Sequence, residues 1–129
     1  MTIAIGPRTG ATALWAFKIL VFLVFVAAAA AKIGGAPMMV QEFGVIGLGQ
    51  GFRYVTGGIE IASAVLLLIP GASRFGALGL LGVCVGALVA QAAVLHGDLI
   101  HVYVLMAATG FLAWTGFVRP RVAATPQPA

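Results

Sequence analysis

One carboxylate stands near the middle of a long apolar segment, and its position suggests chemistry more strongly than that of any other residue in the chain. Glu60 lies within the run from Phe52 to Pro70, FRYVTGGIEIASAVLLLIP, at about 12 Å along a helix from Phe52. An acid at such a depth in a bilayer costs roughly 2.5–3.5 kcal/mol, so it requires a counter-charge, a proton or a water-filled cavity. Arg53, seven residues earlier and on the same helical face, is one candidate partner, and Lys32 is another. The sequence therefore leaves two interpretations open for Glu60, a functional acid and a structural ion pair.

The composition indicates an integral membrane protein. Hydrophobic residues make up 62% of the 129 positions, charged residues only 8%, and the mean hydropathy is +1.14. A soluble domain of this length exposes far more charge. The seven Lys and Arg residues are scattered one or two at a time, which excludes the basic stripe of a nucleic-acid-binding protein.

Four apolar segments predict an all-α fold, a transmembrane four-helix bundle in a single domain over residues 1–129. The predicted helices cover about 11–33, 52–70, 74–96 and 99–118, and each is close to the length that a bilayer requires. Pro37 can start a short additional helix in the first loop. Ser73 and Asp98 are predicted N-caps, and residues 121–129 are predicted to be a disordered tail.

Glycines on the third predicted helix suggest a close contact with a neighbour. Gly82 and Gly86 form a G-x-x-x-G, a spacing that lets two helices approach closely in lipid. Cys84 between them is the single cysteine, and we interpret it as an inert packing residue. One thiol forms no disulfide within the chain, so a redox role would need a cofactor, a bound quinone or the thiols of a partner.

The distribution of cations predicts that both termini are cytoplasmic. With the N-terminus inside, five cations lie on the cytoplasmic side and two on the outer side, in agreement with the positive-inside rule. The polar residues of the outer half then become the candidate ligand-binding set, namely Glu60, Arg53, Lys32, Gln91 and His96.

Neither a metal site nor a catalytic site is predicted. His96, Asp98 and His101 lie around one helix break, where two histidines and one carboxylate are a weak zinc signal. The sequence contains no self-contained catalytic motif, which favours a role other than that of an independent enzyme.

Several short motifs together resemble the DoxX-like family of small four-helix bacterial membrane proteins. They are Lys32 with Gly34-Gly35, Phe43-Gly44, Arg53 before Gly57-Gly58-x-Glu60, the segment Leu66 to Pro70, and His96. The resemblance covers roughly Leu14 to Val118. It implies a multi-pass protein of the bacterial inner membrane, and a link to thiosulfate:quinone oxidoreductase subunits and to a membrane complex that handles thiol oxidative stress. More distant relatives act in the assembly or trafficking of other membrane proteins.

Two hypotheses follow for the function. In the first, the chain is a redox-associated accessory subunit whose outer-half pocket around Glu60 binds a quinone headgroup or a similar small polar molecule. In the second, it is a non-catalytic scaffold or assembly subunit of a larger membrane complex, and the glycines of the third helix contact another subunit. A cavity that reaches Glu60, with room beside Gln91, would favour the first hypothesis.

Overall fold

The computed structural model describes residues 7–97 and 99–123, and the elements within them are helical. The helices are α1 (Pro7–Gly34), α2 (Pro37–Ile46), α3 (Gln50–Leu67), α4 (Ser73–Ala90) and α5 (Ile100–Ala123), with a π-helical turn at Gln91–Leu95 after α4. The predicted all-α fold is confirmed, and the short helix expected at Pro37 is present as α2.

Three helical segments of the described residues are long and apolar enough to cross a membrane. They are Gly10–Gly34, Ser73–Leu95 and Ile100–Val118. Helix α3 is not among them, because its 18 residues include Gln50, Arg53 and Glu60. The spans and the composition make this chain a helical membrane protein.

Helices α3 and α4 are the two central elements of the packing. Helix α3 packs against α1 and α4, while α5 packs mainly against α4 and touches α1 over a small contact. The core is formed by apolar side chains from each of these four helices, among them Phe25, Leu67, Leu80 and Leu112, all 2% exposed or less. The polar face of α3 therefore lies inside the helical assembly.

Close approaches between helices occur at particular glycines of α3 and α4. A Cβ at Gly57 would lie 2.8 Å from the Ile33 side chain, so α1 and α3 meet tightly there. A Cβ at Gly76 would overlap the backbone of Ser63 and Leu67, so α3 and α4 also meet tightly. Small residues permit such contacts because they let two helix backbones approach.

The predicted contact of Gly82 and Gly86 with a neighbouring helix of the same chain is wrong. No atom lies within 4 Å of a Cβ built on either residue, and both are exposed. The G-x-x-x-G spacing shows that a helix can be approached closely, but it does not determine which turn of the helix is approached. In this structure α4 meets α3 about two to three turns earlier, at Gly76, and leaves open space at Gly82 and Gly86.

The helix ends differ from the prediction at three places. Helix α3 ends at Leu67 rather than Pro70, and Ala72, not Ser73, is the N-cap of α4. The Ser73 hydroxyl instead donates a hydrogen bond of 2.7 Å to the carbonyl of Leu67, which satisfies a terminal acceptor of α3. Helix α5 continues to Ala123, so the predicted tail does not begin at residue 121. Residues 124–129 and the predicted cap Asp98 lie outside the described residues.

Candidate functional site

A bidentate ion pair joins the end of α1 to the middle of α3. Lys32 Nζ donates to both carboxylate oxygens of Glu60, at 2.8 Å to Oε1 and 3.0 Å to Oε2. Glu60 is 2% exposed, and the Lys32 side chain is 13% exposed. Lys32 lies in the last turn of α1, where the helix carbonyls favour a cation. Of the two candidate counter-charges, the structure therefore pairs Lys32 with Glu60.

Arg53 holds the backbone around this pair and does not neutralise Glu60 itself. It is buried, and its Nη1 donates to the backbone carbonyl of Lys32. Its Nε donates to Gln50 Oε1 at 3.0 Å, and its Nη2 donates to the Tyr54 hydroxyl at 3.2 Å. The guanidinium carbon also lies 4.5 Å from the centre of the Tyr54 ring. Arg53 thus fixes the end of α1, and with it the position from which Lys32 reaches Glu60.

A cavity of about 410 Å³ opens beside the ion pair. Its wall is mostly apolar and comes from all five helices and the π-helical turn, while Lys32 and Glu60 supply its charged part together with Glu42. Gly82 and Gly86 form a strip of this wall that has no side chains. The open space at these two glycines is therefore part of the cavity, and larger residues there would fill it.

Helix α2 covers one side of the cavity. Met39, Phe43 and Ile46 line it from α2. Phe43 is 6% exposed, and its ring centre lies 5.9 Å from that of Phe52 at the start of α3, which also lines the cavity. The inner face of α2 is therefore mostly apolar, and Glu42 is its charged residue.

The polar residues around the π-helical turn at the end of α4 differ in whether they line the cavity. Gln91, its first residue, lines the cavity, and its side chain packs closely against Gly97. His96, directly after the turn, has a left-handed backbone with φ of 52° and is exposed. His101, in the first turn of α5, lines the cavity. Such π-helical insertions are frequent at functional sites.

Of the five candidate residues, three share the cavity. Lys32, Glu60 and Gln91 line it, Arg53 lies next to it as the support of α1, and His96 is not among the lining residues. That these residues bind a ligand remains a prediction.

Sequence reasoning missed four polar residues of the cavity wall, Glu42, Thr56, Cys84 and His101. Thr56 stands four residues before Glu60, a spacing that places both on one helical face and could have indicated it. Cys84 was interpreted as a packing residue, and it is indeed 3% exposed and part of the hydrophobic core. It also lines the cavity, with the Thr109 hydroxyl 3.9 Å from its sulfur. No sequence signal favoured His101 over His96.

The geometry at the Lys32–Glu60 pair favours a neutral molecule at this part of the cavity. Lys32 and Glu60 already neutralise each other, so a charged ligand would enter a mostly apolar cavity without a counter-charge at this pair. An ammonium has three N–H donors, and the contacts with Glu60 use two of them. One donor thus remains for an acceptor such as a carbonyl oxygen. Among the described residues no group of three or more His, Cys, Asp and Glu could hold a metal ion.

The fold is that of a helical membrane protein with a buried ion pair beside a mostly apolar cavity. Comparison with protein families identifies the family to which it belongs. The chain belongs to the DoxX-like family, which matches residues 16–116. This range includes helices α2, α3 and α4 and every residue of the ion pair and its support. Neither a curated protein nor a solved structure matches the chain.

Proposed function

We propose that this protein binds a neutral, flat, apolar molecule that carries a hydrogen-bond acceptor, and that a quinone is the representative ligand. The observation that carries the proposal is the cavity of about 410 Å³ whose wall contains the Lys32–Glu60 pair. This volume falls within the roughly 300–1,000 Å³ that is typical of small-molecule sites. Such sites are mostly apolar with a few placed polar groups, as here.

The shape of the wall supports a flat ligand. Gly82 and Gly86 leave a strip of α4 backbone without side chains, and the aromatic rings of Phe25, Phe43 and Phe52 contribute other parts of the wall. A planar ring can lie against such surfaces, with a carbonyl oxygen accepting a hydrogen bond from Lys32. Gln91 provides an additional amide that can donate or accept.

The proposal includes the arrangement in the membrane. In it, α1, α3, α4 and α5 form a four-helix bundle of one domain in the bacterial inner membrane, with both termini cytoplasmic. The central position of α3 supports its assignment as the fourth span, because its polar residues are satisfied by neighbouring helices and do not face lipid. The cavity then lies in the outer half of the bundle, close to the end of α1.

We assign the chain an accessory, redox-associated role on the same grounds. The sequence carries no self-contained catalytic motif, so electron transfer to or from a bound quinone would require other subunits of a membrane complex. In this role the chain holds the ligand, and the Lys32–Glu60 pair orients its acceptor atom.

Purification in a mild detergent tests the proposal. The parent protein, extracted with organic solvent and analysed by mass spectrometry, should release a quinone or a similar neutral amphiphile in a fixed molar ratio. Gly86→Leu should yield none of this molecule, because the leucine side chain fills the cavity that binds it. Gly58→Leu is the matched control, since Gly58 does not line the cavity and no atom lies within 4 Å of a Cβ built on it.

Three results would contradict the proposal. One is that the parent contains no such molecule when it is prepared from quinone-containing membranes, and a second is that Gly86→Leu and Gly58→Leu retain it equally. The third is a purified complex with another subunit but without a small molecule, which would favour the alternative of a non-catalytic scaffold or assembly subunit.

A further inference from the structure

Helix α2 has the features of a movable cover over the cavity. It is ten residues long, and glycines in left-handed conformations stand on both sides of it, Gly35 with φ of 73° before it and Gly47 with φ of 81° after it. Gly49 adds a third, with φ of 89°. Glycine is the residue that changes between such backbone conformations at least cost, so these positions can act as hinges.

The two faces of α2 differ in what they contact. Met39, Phe43 and Ile46 line the cavity, while Met38 and Val45 on the same helix are 63% and 56% exposed. An apolar outer face of this kind is suited to the membrane interface, where a short helix can lie in the plane of the headgroups. Displacement of α2 toward the membrane would therefore not bring apolar side chains into water.

A chain of side-chain hydrogen bonds ties α2 to the support of the ion pair. Gln50 Nε2 donates to the backbone carbonyl of Val40, in the middle of α2, at 3.1 Å. Gln50 Oε1 accepts from Arg53 Nε at 3.0 Å, and Arg53 also donates to the carbonyl of Lys32. The same arginine thus holds both the end of α1 and, through Gln50, the cover of the cavity.

We infer that α2 is a hinged lid over one side of the cavity and that Gln50, oriented by Arg53, is the latch that holds α2 in place. Gln50 and Arg53 are positioning residues in this scheme, since neither lines the cavity. The inference rests on the proposed function only in taking the cavity to be a binding site, where opening of the lid admits the ligand from the membrane.

The single cysteine provides a test that requires no ligand. Cys84 lines the cavity and is 3% exposed, so a small uncharged thiol reagent reaches it when the lid opens. We would measure the rate at which N-ethylmaleimide modifies Cys84 in the full chain in liposomes, by mass spectrometry of the intact protein. Gln50→Leu keeps the side-chain size but removes both bonds of the latch. It should raise the rate about two- to tenfold, the range that corresponds to loss of the one hydrogen bond by which Gln50 holds α2.

Two controls separate the latch from general loosening of the fold. Tyr54→Phe removes a different hydrogen bond of Arg53, on the half-exposed Tyr54, and should leave the Cys84 rate unchanged. Ser63→Cys in a Cys84→Ser background places the only thiol in the buried contact between α3 and α4, away from the cavity lining. Its rate should not change when Gln50→Leu is added.

The inference of a lid is refuted if Gln50→Leu leaves the rate of Cys84 modification at the parent value. It is equally overturned if the rates at positions 84 and 63 rise together, or if Tyr54→Phe has the same effect as Gln50→Leu. Because no ligand takes part, these results are independent of whether the purified protein carries a quinone, so a failure of the lid is distinguishable from a failure of the proposed function.

Discussion

Removing the lysine of the buried ion pair should destabilise the protein far more than removing both of its charges. Lys32→Met keeps most of the side-chain volume but leaves the Glu60 carboxylate, which is 2% exposed, without its counter-charge. The comparison variant, Lys32→Met with Glu60→Leu, replaces the pair by two apolar side chains of similar size.

The magnitude follows from the geometry of the pair. At the N–O distance of 2.8 Å, two unit charges attract each other by about 6 kcal/mol at an effective dielectric constant of ~20. Most of this attraction offsets the cost of removing both ions from water, so the net value of the pair is small. Breaking a buried pair by deleting one partner typically costs about 3–5 kcal/mol, and we expect this loss for Lys32→Met. Glu60→Leu should cost less, about 1–3 kcal/mol, because the 13% exposed lysine can turn toward the interface.

The double variant should recover at least about 2 kcal/mol of the loss of Lys32→Met, since an apolar replacement of a buried pair is often neutral. The free energy of unfolding would be measured in mixed micelles by the loss of helical circular dichroism with increasing SDS fraction. A parallel pair, Arg53→Gln with Glu60→Leu, should show no comparable recovery, because Arg53 contacts Lys32 O, Gln50 and Tyr54.

Unfolding of Lys32→Met at the same SDS fraction as the parent would contradict a stabilising role of the pair. A double variant as unstable as Lys32→Met would also contradict it, since Glu60 would then not be the reason for the loss. A recovery with the Arg53 pair equal to that with the Lys32 pair would mean that the arginine is the real counter-charge.

Two further predictions follow from the glycines and from the charge distribution. Gly76→Leu should fail to accumulate or should unfold at a lower temperature, because its side chain would overlap the backbone of Ser63 and Leu67. Gly82→Leu should unfold like the parent, since no atom lies within 4 Å of a Cβ built there. Equal heat resistance of the two variants would contradict the assigned contacts. A reporter fused after Ala129 should be cytoplasmic and one inserted near Gln41 should be periplasmic, because five cations against two favour this orientation; the reverse result would place the cavity on the cytoplasmic side.

The existence of the helices and the need of Glu60 for a polar partner could be predicted from the sequence, because both depend on local composition. An apolar run of about 20 residues has few alternatives to a membrane helix. An acid within such a run needs a counter-charge, a proton or water. The identity of its partner could not be predicted. Lys32 is 28 residues away, and its distance from Glu60 depends on how α1 and α3 pack, which is set by contacts such as that of Ile33 with Gly57.

The open glycine strip and the position of His101 in the cavity wall depend on tertiary structure in the same way. The spacing of Gly82 and Gly86 indicates a surface without side chains, but whether a helix or a cavity faces it is decided by the packing of the whole bundle. The segment Gln91–Leu95 contains no proline or glycine that would indicate its π-helical turn. Beyond this turn, where His96 has a left-handed backbone, His101 rather than His96 lines the cavity.

Titration of the purified protein with a short-tailed quinone tests the central claim most directly. After delipidation, the parent should bind the quinone saturably with a stoichiometry near one, as measured by equilibrium dialysis against protein-free micelles. Glu60→Gln should remain folded and inserted but bind more weakly, because it changes the group that holds Lys32 in place. Gly86→Leu should show only the non-saturating partition that micelles show. Non-saturating uptake by the parent, or equal saturable binding by the parent and Gly86→Leu, would contradict the assignment of this cavity as a ligand site.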